Sequence, residues 1–233
     1  MSAIVEARQV RKVFRGGDDG LVEVLTAVDL SVFRGEMVAI VGASGAGKST
    51  LLHLLGALDQ PTGGEVLLNG EPYSGQSARS LDRVRNTELG FVFQFHHLLR
   101  EFDALENVMM PLLIGGRPPA AARGRAEELL ARVGLAGRMT HRPAELSGGE
   151  QQRCAVARAL VHDPKIVLAD EPSGNLDHRH SEALHDLLAG LTRSLETALI
   201  VATHNRGLAE RADRVFLLEN GRLHPATAAE AMS

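Results

Sequence analysis

The chain has 233 residues, of which 44% are hydrophobic and 23% charged, values typical of a globular protein with a sizeable core. Its formal net charge is -4 and its basic residues are scattered, which argues against a sequence-independent grip on nucleic acid. The single cysteine, Cys154, excludes an internal disulfide and suits a reducing compartment. No apolar run approaches the roughly 18 residues of a membrane span, so we expect any membrane association to run through a partner protein.

The first part of the chain predicts strands and one helix. The apolar or alternating runs that predict strands are residues 4–10, 22–33 and 37–41. The glycine-rich acidic segment 16–20 should form a solvated hairpin tip between the first two runs. A helix is expected at residues 51–58, followed by a strand at 65–68 that ends in an Asn69-Gly70 turn.

Between the third strand and that helix lies a segment that matches G-x-x-x-x-G-K-[ST] at every defined position. It consists of Gly42, Ala43, Ser44, Gly45, Ala46, Gly47, Lys48, Ser49 and Thr50. Glycines let such a loop curl so that its backbone N–H groups point at phosphate oxygens, and the helix dipole adds positive potential. Lys48 can reach the β- and γ-phosphates, and the Ser49 hydroxyl can ligate Mg²⁺. The segment therefore predicts a nucleotide site rather than a glycine-rich turn with an incidental lysine.

The middle of the chain has a different, largely helical character. An amphipathic segment at 77–86 precedes a strand candidate at 90–94. Residues 95–162 are mostly helical in pattern, and Pro118-Pro119 interrupt them ahead of a helix at 120–133. We interpret residues 95–162 as an inserted helical subdomain.

The strands of the core should resume after this insert. They are predicted at residues 166–169, 198–202 and 215–218. The first two are almost continuously apolar, as in parallel strands that are buried on both faces. Residues 1–94 and 163–233 should therefore form one α/β core, with the tail from Pro225 as a short helix or disordered.

Two carboxylates, Asp170 and Glu171, follow the strand that begins at Ile166. Ligands of an open α/β sheet bind at the carboxyl ends of its strands, so both acids can face a nucleotide. Asp170 should approach Mg²⁺ through water, and Glu171 lies where a general base could polarise the attacking water. The alternative interpretation is two solvated acids at a strand end.

The segment from Leu146 to Arg153 reads LSGGEQQR. Ser147 followed by Glu150 is a capping box that starts a helix, while Gly148 and Gly149 leave the first amides of that helix uncovered. An exposed helix N-terminus can bind an anion. An ordinary capped helix would explain the serine and the glutamate, but it gives no reason for both glycines.

With these segments the chain resembles the ATP-binding cassette (ABC) family, whose signature LSGGE is intact here. The resemblance implies a P-loop NTPase (RecA-like) α/β core with an antiparallel β subdomain and an inserted α-helical subdomain. It also implies an ATPase that uses ATP and Mg²⁺. In its terms residues 42–50 are the Walker A loop and residues 166–171 are the Walker B strand with its catalytic glutamate.

The resemblance also implies roles for residues outside these motifs. Gln94 is the Q-loop glutamine, which can ligate Mg²⁺ and sense the γ-phosphate, and His204 is the switch histidine. Phe14 matches the aromatic that stacks on adenine, although tyrosine is usual there and a strand-end phenylalanine can be core. The residues expected to act in catalysis are Glu171, His204, Gln94 and Lys48. The residues expected at the nucleotide beyond the Walker A loop are Phe14, Ser147, Gly148, Gly149, Glu150 and, in the D-loop, Asp177.

Partners follow from the same resemblance. Two copies in this family pack head to tail, so the segment 147–149 of one copy closes on the γ-phosphate held by Lys48 of the other. The expected partners are therefore a second copy of this chain and two transmembrane subunits, with no nucleic acid.

One stretch indicates a group within the family. Residues 95–108 have apolar side chains suited to gripping a partner helix, with a local core as the alternative. Together with residues 109–115, 141–143 and 169–177, they resemble the ATPase subunits of lipoprotein-releasing transporters. The resemblance implies a peripheral subunit on the cytoplasmic face of the bacterial inner membrane, docked on its transmembrane partners near residues 95–108.

Two residues depart from the pattern of that group. Arg100 stands where proline is common, and Asn205 follows His204 where aspartate is common. Neither departure removes a catalytic group, but Arg100 lies in the presumed partner surface. Macrolide-exporter and cell-division cassettes share the architecture and are alternatives, as is a soluble ABC switch that acts on DNA or ribosomes. A small-molecule kinase would explain neither the signature nor the helical insert.

Overall fold

The computed structural model describes residues 2–16 and 20–230, and in these ranges it contains ten strands and seven α-helices. The strands are β1 Val5–Arg15, β2 Leu21–Val32, β3 Met37–Val41, β4 Gly63–Leu68, β5 Glu71–Pro72, β6 Leu89–Phe93, β7 Ile166–Asp170, β8 Ala198–Ala202, β9 Arg214–Glu219 and β10 Arg222–Ala226. The helices are α1 Lys48–Leu55, α2 Ala78–Thr87, α3 Ala104–Ile114, α4 Pro119–Arg132, α5 Gly148–Leu160, α6 His178–Leu195 and α7 Arg206–Ala209. None of the helices in the described ranges combines the length and the apolar character needed to cross a lipid bilayer.

A six-stranded sheet in the order β10-β9-β3-β8-β7-β6 forms the centre of the molecule. All its neighbouring strands run parallel except β10, which pairs antiparallel with β9. Strand β3 shows why the apolar runs are continuous. Its Val38 and Ile40 enter the core shared with the second sheet, whereas Met37, Ala39 and Val41 enter the core beneath the helices. Alternate side chains thus serve two cores, as predicted for parallel strands covered on both faces.

The second sheet is antiparallel, with the order β2-β1-β4-β5. Strands β4 and β5 are joined by Asn69 and Gly70, whose φ angles of 52° and 82° fit the predicted two-residue hairpin turn. At the open end of β1 and β2, the Gly16 N–H donates to the Gly20 carbonyl at 2.7 Å. The tip of this predicted hairpin, residues 17–19, lies outside the described residues.

Helices α3, α4 and α5 lie between β6 and β7 in the chain and pack on one another. Helix α3 begins with a capping box between Asp103 and Glu106, and α4 begins at Pro119, where the double proline predicted a break. Cys154 is buried within α5, and burial raises the pKa of its thiol to about 12. The thiol is therefore protonated and inert at neutral pH.

The structure corrects three details of the sequence prediction. Helix α1 ends at Leu55 instead of residue 58, because Ala57 adopts a φ of 53° and turns the chain away. The tail from Pro225 is neither helix nor disorder at its start, since β10 forms a hairpin with β9. Proline is tolerated there because β10 is an edge strand. Helix α6, which starts at the Asp177 cap, was not predicted.

Candidate active site

The carboxyl ends of β3, β6, β7 and β8 meet at one edge of the six-stranded sheet. Strand pairing puts Phe93 opposite Asp170, and Asp170 opposite Ala202, so the residues that follow these strands lie side by side. They border a cleft of about 490 Å³. The cleft is lined by Val24, Gly42, Ser44, Gly45, Gly47, Lys48, Ser49, Thr50, Gln94, Asp170, Glu171 and His204. The structure therefore brings most of the phosphate loop together with Gln94, both carboxylates and His204.

At two positions of the phosphate loop, the backbone conformation and the close neighbours leave room only for glycine. Gly42 and Gly47 have φ angles of 152° and 103°. A Cβ at Gly42 would lie 2.5 Å from the carbonyl oxygen of Leu218, and one at Gly47 would lie 2.8 Å from Val24 Cγ1. No side chain caps the start of α1. Its first amides are therefore available to an anion in the cleft.

Lys48 is folded over this loop and is only 9% exposed. Its Nζ donates to the carbonyl oxygens of Gly42 at 2.8 Å and Ala43 at 3.0 Å. An ammonium group has three donors, so one remains for a ligand. The two carbonyl contacts hold the charge at the mouth of the loop, where a phosphate would lie.

Glu171 and His204 form the other side of the cleft. The Glu171 backbone adopts a left-handed φ of 45°, and its N–H donates to the Ala202 carbonyl at 2.9 Å. Its Oε1 lies 2.8 Å from His204 Nδ1, and its Oε2 lies 3.3 Å from the His204 backbone nitrogen. A carboxylate can only accept, so Nδ1 carries the hydrogen and Nε2 is left for other partners. The carboxylate is thus fixed in direction, while the imidazole is 73% exposed.

Gln94 is held by Asn175, a residue to which the sequence analysis assigned no role of its own. Its Nε2 donates to Asn175 Oδ1 at 3.2 Å, and Asn175 Nδ2 donates to the Gln94 carbonyl at 3.0 Å. Gly174 makes this approach possible, since a Cβ there would lie 2.9 Å from Gln94 Nε2. With its nitrogen engaged, the side-chain oxygen of Gln94 is free to meet a cation.

The predicted signature residues lie outside the cleft within one copy of the chain. Ser147 caps α5 and forms the predicted capping box with Glu150. The hydrogen bonds from Ser147, followed by the one from Arg138 at 3.0 Å, lower the pKa of Glu150 to about 2. The Glu150 carboxylate is therefore engaged in the cap. Gly148 and Gly149 leave the start of α5 without side chains, as predicted.

Asp177 and Phe14 also lie outside the cleft. Asp177 caps α6, where hydrogen bonds from the backbone and ring of His180 lower its pKa. The His180 ring in turn lies against Gly149, since a Cβ there would be 3.1 Å from His180 Cδ2. The predicted D-loop and signature thus share one face. Phe14 is 41% exposed, so its ring does not belong to the core.

The apolar segment at residues 95–108 is divided between surface and core. Phe95 and Leu99 are exposed, but Leu98 and Leu105 are buried, at 6% and 3% exposure. The prediction of a groove lined by all these side chains is therefore wrong for Leu98 and Leu105, which pack into the core beneath the helices. An apolar groove of about 440 Å³ does lie beside the segment. Its apolar lining includes Leu58, Phe91, Leu99, Met110, Pro111 and Ile114.

Known proteins resemble this chain over nearly its whole length, and a family model matches the middle part of it. The family model described as ABC transporter matches residues 25–174. The lipoprotein-releasing system ATP-binding protein LolD of Xanthomonas oryzae pv. oryzae (strain MAFF 311018) is 54% identical over 222 residues, 95% of this chain and 91% of that protein. LolD of Shewanella sp. (strain MR-7) is 54% identical over 221 residues, 94% of this chain and 95% of that protein. Among solved structures, a dimeric post-hydrolysis state of an ATP-binding cassette bound to ADP and Pi matches with a TM-score of 0.87 and 36% identity, covering 96% of this chain and 98% of that chain.

Proposed function

This chain belongs to the ABC transporter family, and from that premise we propose that it powers the release of lipoproteins from the bacterial inner membrane. It is an ATPase whose activity is coupled to transport. The observation that carries the lipoprotein assignment is the 54% identity, over 95% of the chain, to a protein named for that system. The cleft supplies the chemistry that such a subunit needs.

In the proposed mechanism the loop and Lys48 bind the β- and γ-phosphates of ATP. The uncapped amides of α1 and the remaining Nζ donor point positive charge at the oxygens that gain negative charge during phosphoryl transfer. Because the ammonium is already fixed by two carbonyl groups, little reorganisation is needed when the phosphates arrive.

Glu171 then acts as general base toward the attacking water. Its fixed carboxylate accepts from His204 Nδ1, and the two side chains border the same cleft as Lys48. His204 orients the carboxylate, and its own side chain borders the cleft in which the γ-phosphate would lie. Base catalysis of this kind contributes typically about 10²–10⁴-fold to a rate.

The donors that border the cleft fit Mg²⁺. Ser49, Gln94 and Asp170 offer hydroxyl, amide and carboxylate oxygens, the ligands that this cation prefers. No group of three His, Cys, Asp or Glu side chains that could hold a metal ion occurs among residues 2–16 and 20–230. When bound, Mg²⁺ neutralises charge on the phosphate oxygens.

A second copy of the chain would complete the site. The cleft and the N-terminus of α5 lie apart in one copy, and the dimeric cassette that matches this fold was observed with ADP and Pi. In a head-to-tail pair, Ser147, Gly148 and Gly149 of one copy would face the γ-phosphate on the other. ATP would thereby hold the two copies together until hydrolysis.

The apolar groove beside residues 95–108 is the proposed docking site for the transmembrane subunits, of the LolC and LolE type. Leu99 and Ile114 are exposed on it, at 41% and 71%. Apolar side chains that line one contiguous exposed groove mark a candidate site for a protein partner. Such docking would place the chain on the cytoplasmic face of the inner membrane.

Reconstitution tests the proposal. The chain is coexpressed with the two transmembrane subunits of a lipoprotein-releasing system, the complex is placed in vesicles that carry a lipoprotein, and ATP-dependent release is measured. We expect release with the native chain and none with Glu171→Gln. ATP hydrolysis without any release, together with assembly on macrolide-exporter subunits instead, would contradict the lipoprotein assignment.

The docking surface is tested by copurification. Ile114→Asp should abolish copurification with the transmembrane subunits and leave ATP binding intact. Leu21→Asp is the matched control, because Leu21 is equally exposed, at 74%, but lies on the antiparallel sheet. Copurification that survives Ile114→Asp would place the docking surface elsewhere.

A further inference from the structure

The end of β1 carries a lysine and a phenylalanine on one face of the strand. Lys12 and Phe14 are two residues apart, which puts their side chains on the same side. Lys12 Nζ lies 4.9 Å from the centroid of the Phe14 ring, within the range of cation–π attraction. The Lys12 side chain is only 12% exposed, whereas Phe14 is 41% exposed. A largely buried cation therefore lies over one face of a ring that is partly exposed to solvent.

The ammonium group of Lys12 is held from the opposite side as well. It forms an ion pair with Asp59 Oδ2 at 2.7 Å and donates to the Gln60 carbonyl at 2.8 Å. Burial alone would raise the pKa of Asp59, but the hydrogen bonds from Lys12 and the Gln60 backbone outweigh burial and lower it. Two oxygens and the ring thus occupy the three donor directions of the lysine.

The turn that holds Lys12 is attached to the helix of the phosphate loop. Helix α1 starts at Lys48, and its His53 carbonyl accepts from the N–H groups of Leu58 at 2.9 Å and Asp59 at 3.3 Å. The same turn is bound to β1, where Val13 N–H donates to Thr62 Oγ1 at 2.8 Å. Lys12 therefore links the Phe14 ring to the far end of the helix whose near end carries the loop.

We propose that Lys12 is a positioning residue for nucleotide binding: it holds the Phe14 ring at a fixed distance from the phosphate loop, with the free face presented to the base. This inference rests on the proposed function, since it takes Phe14 as the surface on which the base stacks. A ring held in place binds a base without first losing rotamer freedom.

The test separates the base from the phosphates of the nucleotide. Binding of Mg·ATP and of inorganic tripolyphosphate with Mg²⁺ is measured by calorimetry, and KM and kcat for ATP hydrolysis are measured in parallel. Lys12→Met should weaken ATP binding about two- to fivefold, the size expected for one cation–π contact, and leave tripolyphosphate binding unchanged. The KM for ATP should rise with kcat unchanged, and Lys12→Arg should restore the ATP affinity and the KM.

Two further variants serve as a control and as a second test of the positioning role of Lys12. Arg11 lies next to Lys12 on β1 and forms an ion pair with Glu23 of β2 at 2.7 Å. Arg11→Gln removes this ion pair and should change the binding of neither ATP nor tripolyphosphate. Asp59→Asn releases the lysine without removing it, and should weaken ATP binding in the same direction as Lys12→Met. It therefore tests the proposal even if Lys12→Met fails to fold.

Several outcomes would overturn the inference. Equal losses for ATP and tripolyphosphate in Lys12→Met would indicate a general structural role, and unchanged ATP binding would remove the positioning role. Phe14→Ala distinguishes the positioning role of Lys12 from the base-stacking role of Phe14. If Phe14→Ala weakens ATP alone while Lys12→Met and Asp59→Asn do not, only the positioning role fails. If Phe14→Ala also leaves ATP binding unchanged, the ring is not a base platform and both ideas fail.

Discussion

The phosphate cleft and the N-terminus of α5 differ in how completely one copy of the chain builds them. The cleft gathers side chains from the ends of four parallel strands, and a buried lysine and a paired carboxylate both border it. The start of α5 presents Gly148 and Gly149 beyond a complete cap, but no residue of the cleft reaches it. The groups of the proposed nucleotide site are thus gathered in one copy, whereas the proposed contact of α5 with the nucleotide needs a second copy.

This difference indicates that ATP binding and ATP hydrolysis should depend on different residues. A single copy has the groups that we propose hold ATP, because the phosphate loop, Lys48 and the proposed Mg²⁺ ligands line one cleft. Hydrolysis should in addition need the amides of α5 from a second copy, since developing charge on the γ-phosphate is stabilised by donors aimed at it. Variants in the two regions should therefore fail in different ways.

The largest effect is expected at the cleft, from Glu171→Gln. The amide cannot accept the proton of the attacking water, so the rate of ATP hydrolysis should fall about 10²–10⁴-fold while ATP affinity is retained. Phosphate release and calorimetry measure the two quantities. Normal turnover in this variant would remove Glu171 from the role of base.

The matching change in the signature region is Gly148→Asp. A Cβ at Gly148 would lie 3.8 Å from Leu176 Cδ2, so the fold has room for it. The helix dipole stabilises the negative charge of an aspartate at the start of a helix. Its charge would repel a phosphate, so hydrolysis should fall about 10²-fold or more with the melting temperature unchanged or slightly raised.

The control for this variant is Gly124→Asp in α4, where a Cβ also meets open space. It adds the same charge away from the N-terminus of α5, because the next residue, Arg125, pairs with Asp163 beyond the other end of that helix. It should leave hydrolysis unaltered. Full activity in Gly148→Asp would show that the N-terminus of α5 does not face the nucleotide.

A smaller effect is expected on binding from Lys48→Ala. Loss of one charged hydrogen-bond donor should weaken ATP binding about ten- to a hundredfold. Calorimetry at constant Mg²⁺ gives the affinity directly, and the same titration with Gly148→Asp should match the native chain. Equal affinities for Lys48→Ala and the native chain would contradict the phosphate cradle.

The smallest effect concerns the cap of α5 and its pH dependence. Glu150→Gln replaces charged hydrogen bonds by neutral ones, which should lower the free energy of unfolding by about 1 kcal/mol at pH 7. The pKa of Glu150 falls from 4.5 to about 2 on folding, so this stabilisation is fully present above pH 4.5 and is lost as the pH falls toward 2.

Denaturant unfolding of both proteins between pH 7 and pH 3 checks this expectation. The difference between native chain and variant should be constant above pH 5 and shrink below it. A difference that stays the same at every pH would mean that the charge of Glu150 contributes nothing to the cap.

Both regions could be located from the sequence because each depends on local rules. The loop needs glycines where φ is positive or where a Cβ would clash, and the cap needs Ser147 and Glu150 at a fixed spacing. Strands such as β8 were predicted correctly, because burial on both faces leaves an uninterrupted apolar run.

The parts that were missed depend on tertiary packing. Leu98 and Leu105 are apolar residues beside exposed ones, and only the packing of α3 decides that they are core. Strand β10 is a half-exposed edge with a proline, so its pattern is weak. The contact of Lys12 with Phe14 had a local signal, since residues two apart share a face of a strand, but its anchor at Asp59 comes from a distant turn.

The central claim is that the cleft of a single copy binds ATP, whereas the N-terminus of α5 contacts ATP only when two copies form a dimer. Sedimentation equilibrium of Glu171→Gln with saturating Mg·ATP tests this claim most directly, beside the double variant Glu171→Gln with Gly148→Asp. Both proteins should bind ATP, the first as a dimer and the second as a monomer. A monomer in the first case, or an equally stable dimer in the second, would contradict the account.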